Sequence, residues 1–295
     1  MLSAPFTVRT PTPRFLATSP GEELWLALRD LYVHGADGLL GGDLFTTTRW
    51  AEPSGGLAHF LADVTLSLAV YKIMKAGRRI EVEDGLEGNA LHSEEGEELF
   101  LLRMRAYLVE YLGISFLDRG GLRLIPDLAL RSLKVSRNNI EKTARSLALA
   151  ETNAEGRLLC YCCGTDMLFR TGGTKSNIPL DHIWPRSLGG VSTESNLLPI
   201  CDDCNGAKTD RLSWGVFGIV QDYAAATQSQ DADLLLSLAL RRRAATKLAE
   251  EKYVTLKQAF LMLGPAEELT PVDPGEARLF FNLIAHDPGY LSSLW

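Results

Sequence analysis

The sequence predicts a mainly helical chain, α+β overall, with one small strand-containing unit set into it. Two observations carry that expectation. Apolar residues recur at three- and four-residue spacing in several segments between 22 and 150 and again over 231–263, as amphipathic helices require. All five cysteines fall within 160–204, where the apolar runs are short and bounded by proline and glycine.

Taken in order, residues 1–21 carry Arg9 and Arg14, no acid, and several Pro, Ser and Thr, the composition of a loose arm. Helical spacing follows over 22–33, 57–75 and 94–112, with Ser93 a good cap for the third. Residues 57–70 are apolar on more than one face, which suits the centre of a small bundle or an exposed side that docks a partner. Residues 79–82 read as a short strand or wing ending at Asp84-Gly85. From Pro126, a sound first helical residue, the pattern runs to 150 with a break near 136–139, and Glu155-Gly156 terminates it. After the cysteine-bearing unit come 213–226, a longer helical stretch over 231–263 and a last helix beyond Pro274. The resulting organisation is a helical N-terminal region at 1–125, a helical linker at 126–156, the cysteine-bearing module at 157–212 and a helical C-terminal region at 213–295.

At 295 residues and 46% hydrophobic content the chain can bury a proper core. No apolar run approaches the length of about 20 needed to cross a bilayer, and no charged, apolar and cleavable leader opens the sequence, so no membrane association is expected and the cytoplasm is the default location. The net charge of −7 excludes a general cationic surface for polyanions. Its distribution is uneven. Residues 81–98 hold many acids and no Lys or Arg, whereas 119–145 hold seven Lys or Arg and offer a local basic face beside the module or an ordinary solvated helix face.

The cysteines have a metal-binding spacing. Cys160 and Cys163 form one chelating pair, Cys201 and Cys204 another, and 164–200 lie between them, so two knuckles can close on one tetrahedral zinc ion. Four thiolates leave no open coordination position, which makes that zinc structural. Cys162 could substitute for Cys163, but Cys160-x-x-Cys163 has the better knuckle spacing, and Gly164 follows where the chain must turn.

Between the knuckles, the run 178–183 places Asp181 and His182 at a strand end, Pro185 and Gly189-Gly190 force a turn, and 197–200 read as the returning strand. Cys201 or Asp202 starts a helix with Asn205 and Lys208 three apart, hence on one face. The pieces "CYCCG", "PLDHIWPRSLGG" and "NLLPICDDCNGAK", with His182, Asn196 and Asn205 in order, resemble the HNH endonuclease family. The resemblance implies a ββα-metal fold stapled by a structural zinc on four cysteines. It further implies that His182 is the general base, that Asn196 bridges the loop and holds the His182 backbone and ring, and that Asp181 and Asn205 bind catalytic Mg²⁺, with Mn²⁺ as a substitute. Asn205 stands where most relatives have a third-letter His, and its amide oxygen favours hard ions. Lys208 and Arg211 are candidate phosphate contacts.

The expected activity is therefore metal-dependent phosphodiester hydrolysis in DNA, most naturally duplex. An acidic, helical flank suggests a nuclease subunit held on a larger assembly through its helical regions, as in bacterial anti-phage systems. The alternative is a non-catalytic zinc module that positions a nucleic acid or a protein. Asp181, His182, Asn196 and Asn205 together favour the first reading, because zinc binding requires none of them.

Overall fold

The structure, a computed structural model, describes residues 14–34, 56–111, 120–150, 156–170, 177–210, 212 and 231–264. Within them the protein is mostly helical with one two-stranded antiparallel sheet. Residues 1–13 of the expected arm, the helix expected at 213–226 and everything beyond 264, including the last helix, lie outside the described residues. The rest of that arm is packed rather than loose, because Phe15 is buried in the core and Leu16 N donates to Val254 O at 3.0 Å, and Pro20 already opens a helix.

Helix α1 (Pro20–His34) opens on a reciprocal cap: the Ser19 hydroxyl accepts from Glu22 N at 3.3 Å, and the Glu22 carboxylate accepts from Thr18 N at 2.6 Å. Helix α2 (Gly56–Glu83) absorbs the segment 79–82 that reads as a strand in isolation. Ile73, Met74, Ala76 and Ile80 continue one buried helical stripe, so tertiary burial overrides a four-residue alternation; the helix stops before Gly85, at φ 65°. Helix α3 (Glu94–Glu110) starts as expected, with the Ser93 hydroxyl accepting from Gly96 N at 3.1 Å.

Helix α4 (Gly121–Val135) begins earlier than its proline suggests, and Pro126 lies inside it. A proline there leaves the carbonyl four residues back without its helical donor. Arg105 of α3 supplies the replacement, its Nε donating to Leu122 O at 3.2 Å. The break near 136–139 separates α4 from α5 (Lys142–Ala148). The single helical stretch over 231–263 is two helices: α8 (Asp231–Lys252) ends at Tyr253, φ 51°, and α9 (Leu256–Leu263) restarts on a Thr255/Gln258 capping box.

The module contains short α6 (Met167–Arg170), strands β1 (Leu180–His182) and β2 (Leu197–Pro199), and α7 (Asp202–Lys208). The strands pair Leu180 with Pro199, Asp181 with Leu198 and His182 with Leu197. One buried apolar cluster runs from Phe15, Leu24 and Trp25 through Ile73, Phe100 and Leu133 to Trp184, Ile200 and Phe260. The module therefore shares its core with helices that precede and follow it in sequence. Trp184 makes the junction, edge-on to Trp25 at 6.5 Å between centroids and with Nε1 donating to Leu188 O at 3.0 Å. Gly21 passes so close that an added Cβ would lie 2.1 Å from Leu188 O and 2.4 Å from the indole nitrogen. Only a hydrogen fits there, and the contact is sealed by Gly21 N donating to Gly189 O at 3.1 Å. Among the described residues no helix is long and apolar enough to cross a membrane.

Candidate functional site

The sulfur cluster is built by two turns. Cys160 N donates to Thr165 O at 2.8 Å, and Gly164, at φ 75°, returns its N–H to Cys160 O at 2.9 Å, folding residues 160–164 into a knuckle. The second pair starts α7: Cys201 occupies the cap position and points its N–H at Cys160 Sγ, 3.3 Å away, which directs a partial positive charge onto that sulfur. The Sγ atoms of Cys160, Cys163, Cys201 and Cys204 all lie within 4.8 Å of one another, and none is in a disulfide.

A zinc tetrahedron with Zn–S of about 2.3 Å has sulfur–sulfur edges of about 3.8 Å, and Cys163 and Cys201 are 3.7 Å apart. The donor set fits a metal ion such as zinc. Hydrogen bonds from the Cys162, Cys163 and Cys204 thiols hold Cys160 far below the ordinary thiol range, while burial pushes Cys201 up to about 11. A divalent cation bound by these four sulfurs would replace the protons they share. Cys162 is buried beside the four and outside the set, and burial pushes its thiol well up.

Strand β1 alternates in the way a half-buried strand must, so its two polar residues face different surroundings. Asp181 points inward at 5% exposure. Its Oδ1 accepts from Lys208 Nζ at 2.8 Å and its Oδ2 from the Tyr161 hydroxyl at 2.5 Å. Burial raises the carboxyl above its ordinary range, and the bonds from Lys208 and Tyr161 oppose that shift. Lys208, expected as a phosphate contact, is itself 1% exposed and also donates to His182 O at 2.9 Å. A buried ammonium thus serves as counter-ion to the carboxylate. Asn205 lies on α7 three residues before Lys208, half-buried, its N–H continuing the helix to Cys201 O at 2.9 Å.

His182 is half-buried with Nε2 3.0 Å from the Ser192 hydroxyl. Burial, with the Lys208 and Arg186 cations adding to it, pushes the imidazole down to about 4, so at neutral pH it is uncharged and able to accept a proton. Asn196, 1% exposed, commits its whole amide to the intervening loop. Oδ1 accepts from Trp184 N at 2.7 Å, and Nδ2 donates to Trp184 O and Val191 O, both at 2.9 Å. Its own carbonyl accepts from Ile183 N at 2.9 Å. Asn196 therefore closes the loop two residues beyond His182, while His182 lies opposite Leu197 in the sheet and its carbonyl accepts from Lys208 Nζ. Gly190 permits this closure, because a Cβ there would sit 1.9 Å from Trp184 O and 2.8 Å from Asn196 Nδ2.

The structure thus gathers Asp181, His182, Lys208 and the four cysteines into one unit with Asn196 as its loop closure; Arg211 lies outside the described residues. Several contributors were not singled out by sequence reasoning. Tyr161 is hidden between two cysteines, and Ser192 carries no local signal. Arg186, exposed, reaches Asn139 Oδ1 at 3.3 Å, and Arg78 donates to Ser187 O. Arg242 lies over the Trp184 ring at 5.4 Å and Arg241 over Phe260 at 5.8 Å. The run of three arginines at 241–243 was the available signal, since consecutive helical positions cannot all face one way. The basic stretch 119–145 is largely consumed internally: Arg131 pairs with Glu23, Lys134 with Glu97 and Arg137 with Glu81, and Arg145 donates to Ile178 O.

Compared with known families, residues 160–213 match the model described as HNH endonuclease. Comparison with curated proteins and with solved structures returns no match.

Proposed function

We propose that this chain, which carries an HNH endonuclease module at residues 160–213, is a metal-dependent endonuclease that hydrolyses phosphodiester bonds in duplex DNA. The observation that carries the reading is a half-buried His182 tethered through Nε2, next in sequence to a carboxylate that already holds a cationic group. In this reading Asp181 and Asn205 present hard oxygens to Mg²⁺, or Mn²⁺ in its place, and the four cysteines hold structural zinc. The Mg²⁺, when bound, stabilises charge that develops on the phosphate and the leaving oxygen.

The remaining work belongs to the chain. His182 takes the proton from the attacking water. Asn196 keeps the 184–191 loop closed so that the imidazole does not drift. Lys208 is the counter-ion of the buried Asp181 carboxyl and opposes the upward shift that burial imposes on it. Arg186 and Arg78, exposed beside the site, and Arg211 are phosphate contacts. Cleavage of supercoiled plasmid by the purified full chain with Mg²⁺, lost in His182→Ala, tests the reading; equal cleavage by the variant overturns it.

The pairing of the basic stretch with internal acids, together with the net charge of −7, supports delivery of the nuclease by a protein partner rather than by its own field. A cytoplasmic nuclease subunit of a bacterial anti-phage assembly, docked through the helical regions, fits that requirement. One observation favours a second reading, a non-catalytic zinc module that positions a nucleic acid or protein: both Asp181 oxygens are satisfied by protein groups. Absence of cleavage with every divalent ion, in zinc-loaded protein that still binds DNA, would select it.

A further inference from the structure

We infer that Ser192 is a positioning residue for His182, selecting the imidazole nitrogen that carries the lone pair by committing its own proton to the carbonyl of Asn138. The inference rests on the reading of His182 as general base and adds to it a device supplied from the helical part of the chain.

Ser192 is 6% exposed, its Oγ 2.7 Å from Asn138 O and 3.0 Å from His182 Nε2. A hydroxyl has one proton to donate, and a backbone carbonyl can only accept. The Ser192 proton therefore goes to Asn138, and the hydroxyl oxygen must receive a proton from the ring. A neutral imidazole has one N–H, so the proton sits on Nε2 and the lone pair on Nδ1. The opposite tautomer would set two lone pairs against each other at 3.0 Å, or pull the Ser192 proton away and leave the Asn138 carbonyl short of a donor.

Asn138 is not part of the module. It lies between α4 and α5, where its own N–H donates to Val135 O at 3.1 Å, and the neighbouring Asn139 accepts from Arg186 at 3.3 Å. That connection thus contacts both the proton relay of His182 and an exposed cation beside it. A rearrangement of α4 against α5 would reach the base through one hydroxyl.

The test uses the full-length, zinc-loaded protein with ¹⁵N-labelled histidine, the His182 signals being assigned by their loss in His182→Asn. In the wild type at neutral pH the ring shows a proton on Nε2 and none on Nδ1. Ser192→Ala turns this single tautomer into a mixture, and Ser192→Thr, which keeps the hydroxyl, restores it. In the same preparations Ser192→Ala lowers kcat by roughly three- to tenfold with KM unchanged, the worth of one neutral hydrogen bond, and threonine rescues it. A wild-type ring protonated on Nδ1, or an alanine variant that retains only the Nε2–H form, overturns the inference. If the tautomers respond as described but no preparation cleaves DNA, the positioning role stands and the nuclease reading fails.

Discussion

The two ends of the module are built on opposite principles. At the cysteine end, four sulfurs face one another with a backbone N–H trained on one of them, and nothing is left for a substrate. At the histidine end, each polar group is held by a partner from a different element: Asp181 by α7 and the first knuckle, His182 by the 184–196 loop, and that loop by α1 and the α4–α5 connection. A closed ligand shell needs only local chain turns, whereas a site that must stay partly open has to take its rigidity from surrounding structure.

The largest expected effect breaks the cysteine end. Structural zinc of this kind contributes about 10–16 kcal/mol in small modules, so Cys204→Ser or exhaustive chelation should release one metal per chain and unfold the 160–210 segment, read by elemental analysis and by hydrogen exchange. Because Trp184 and Ile200 belong to the common core, the melting temperature of the helices should fall with it.

At the histidine end the effect is on rate. His182→Ala should lower cleavage by about 10²–10⁴-fold, the usual worth of a general base, with zinc content and melting temperature kept. Since burial holds His182 at about 4, its proton-accepting form survives below the ordinary histidine range of about 6.5. Wild-type cleavage should therefore stay level on going from neutral pH into the mildly acidic range and fall only as pH approaches about 4. The linked stability has the same direction. As pH drops from about 6.5 toward about 4, the unfolded chain takes up a proton that the folded imidazole refuses, so His182 contributes a loss of stability in that window that the alanine variant lacks.

Between the two ends stands the Lys208–Asp181 pair. Lys208→Met leaves a buried carboxylate without its counter-ion, and breaking one side of such a pair costs about 3–5 kcal/mol. Added Mg²⁺ or Mn²⁺ should raise the melting temperature of the methionine variant more than that of the wild type, by supplying the missing charge at Asp181. Equal responses would separate Asp181 from any metal site. The smallest effect lies between the helices: Arg105→Ala deprives Leu122 O of its donor beside Pro126 and should cost about 1–3 kcal/mol, with no change in cleavage.

Truncation to a start near Arg123 would not isolate the module, because it removes Gly21 and Trp25 from beside Trp184 and Leu24 from the shared core. Recruitment by a partner is better tested with the full chain, comparing DNA binding at matched salt with and without proteins that co-purify in cells. Tight binding of duplex DNA at physiological salt by the isolated chain would remove the need for delivery.

Much of this was legible in the residues because local chemistry settled it. Paired cysteines at knuckle spacing, an Asp-His at the end of a short apolar run, Gly-Gly in the following turn and Ser93 before an acidic helical start all act within a few residues of chain. Where an element's fate depended on distant partners, local pattern misled: 79–82 alternates like a strand but continues helix α2 with Ile80 buried and Val82 exposed, and Pro126 sits inside a helix because Arg105 replaces the lost donor. The sequence by itself determined the identity and spacing of the metal-capable sulfurs and of Asp181, His182, Asn196 and Asn205, since ligand type and turn geometry are short-range. Only the tertiary structure decided that Lys208 is a buried counter-ion, that Ser192 and Asn138 meet His182, and that helices from both flanks share the module's core. Those outcomes depend on which buried polar groups find partners across the fold, and no periodicity along the chain encodes that pairing.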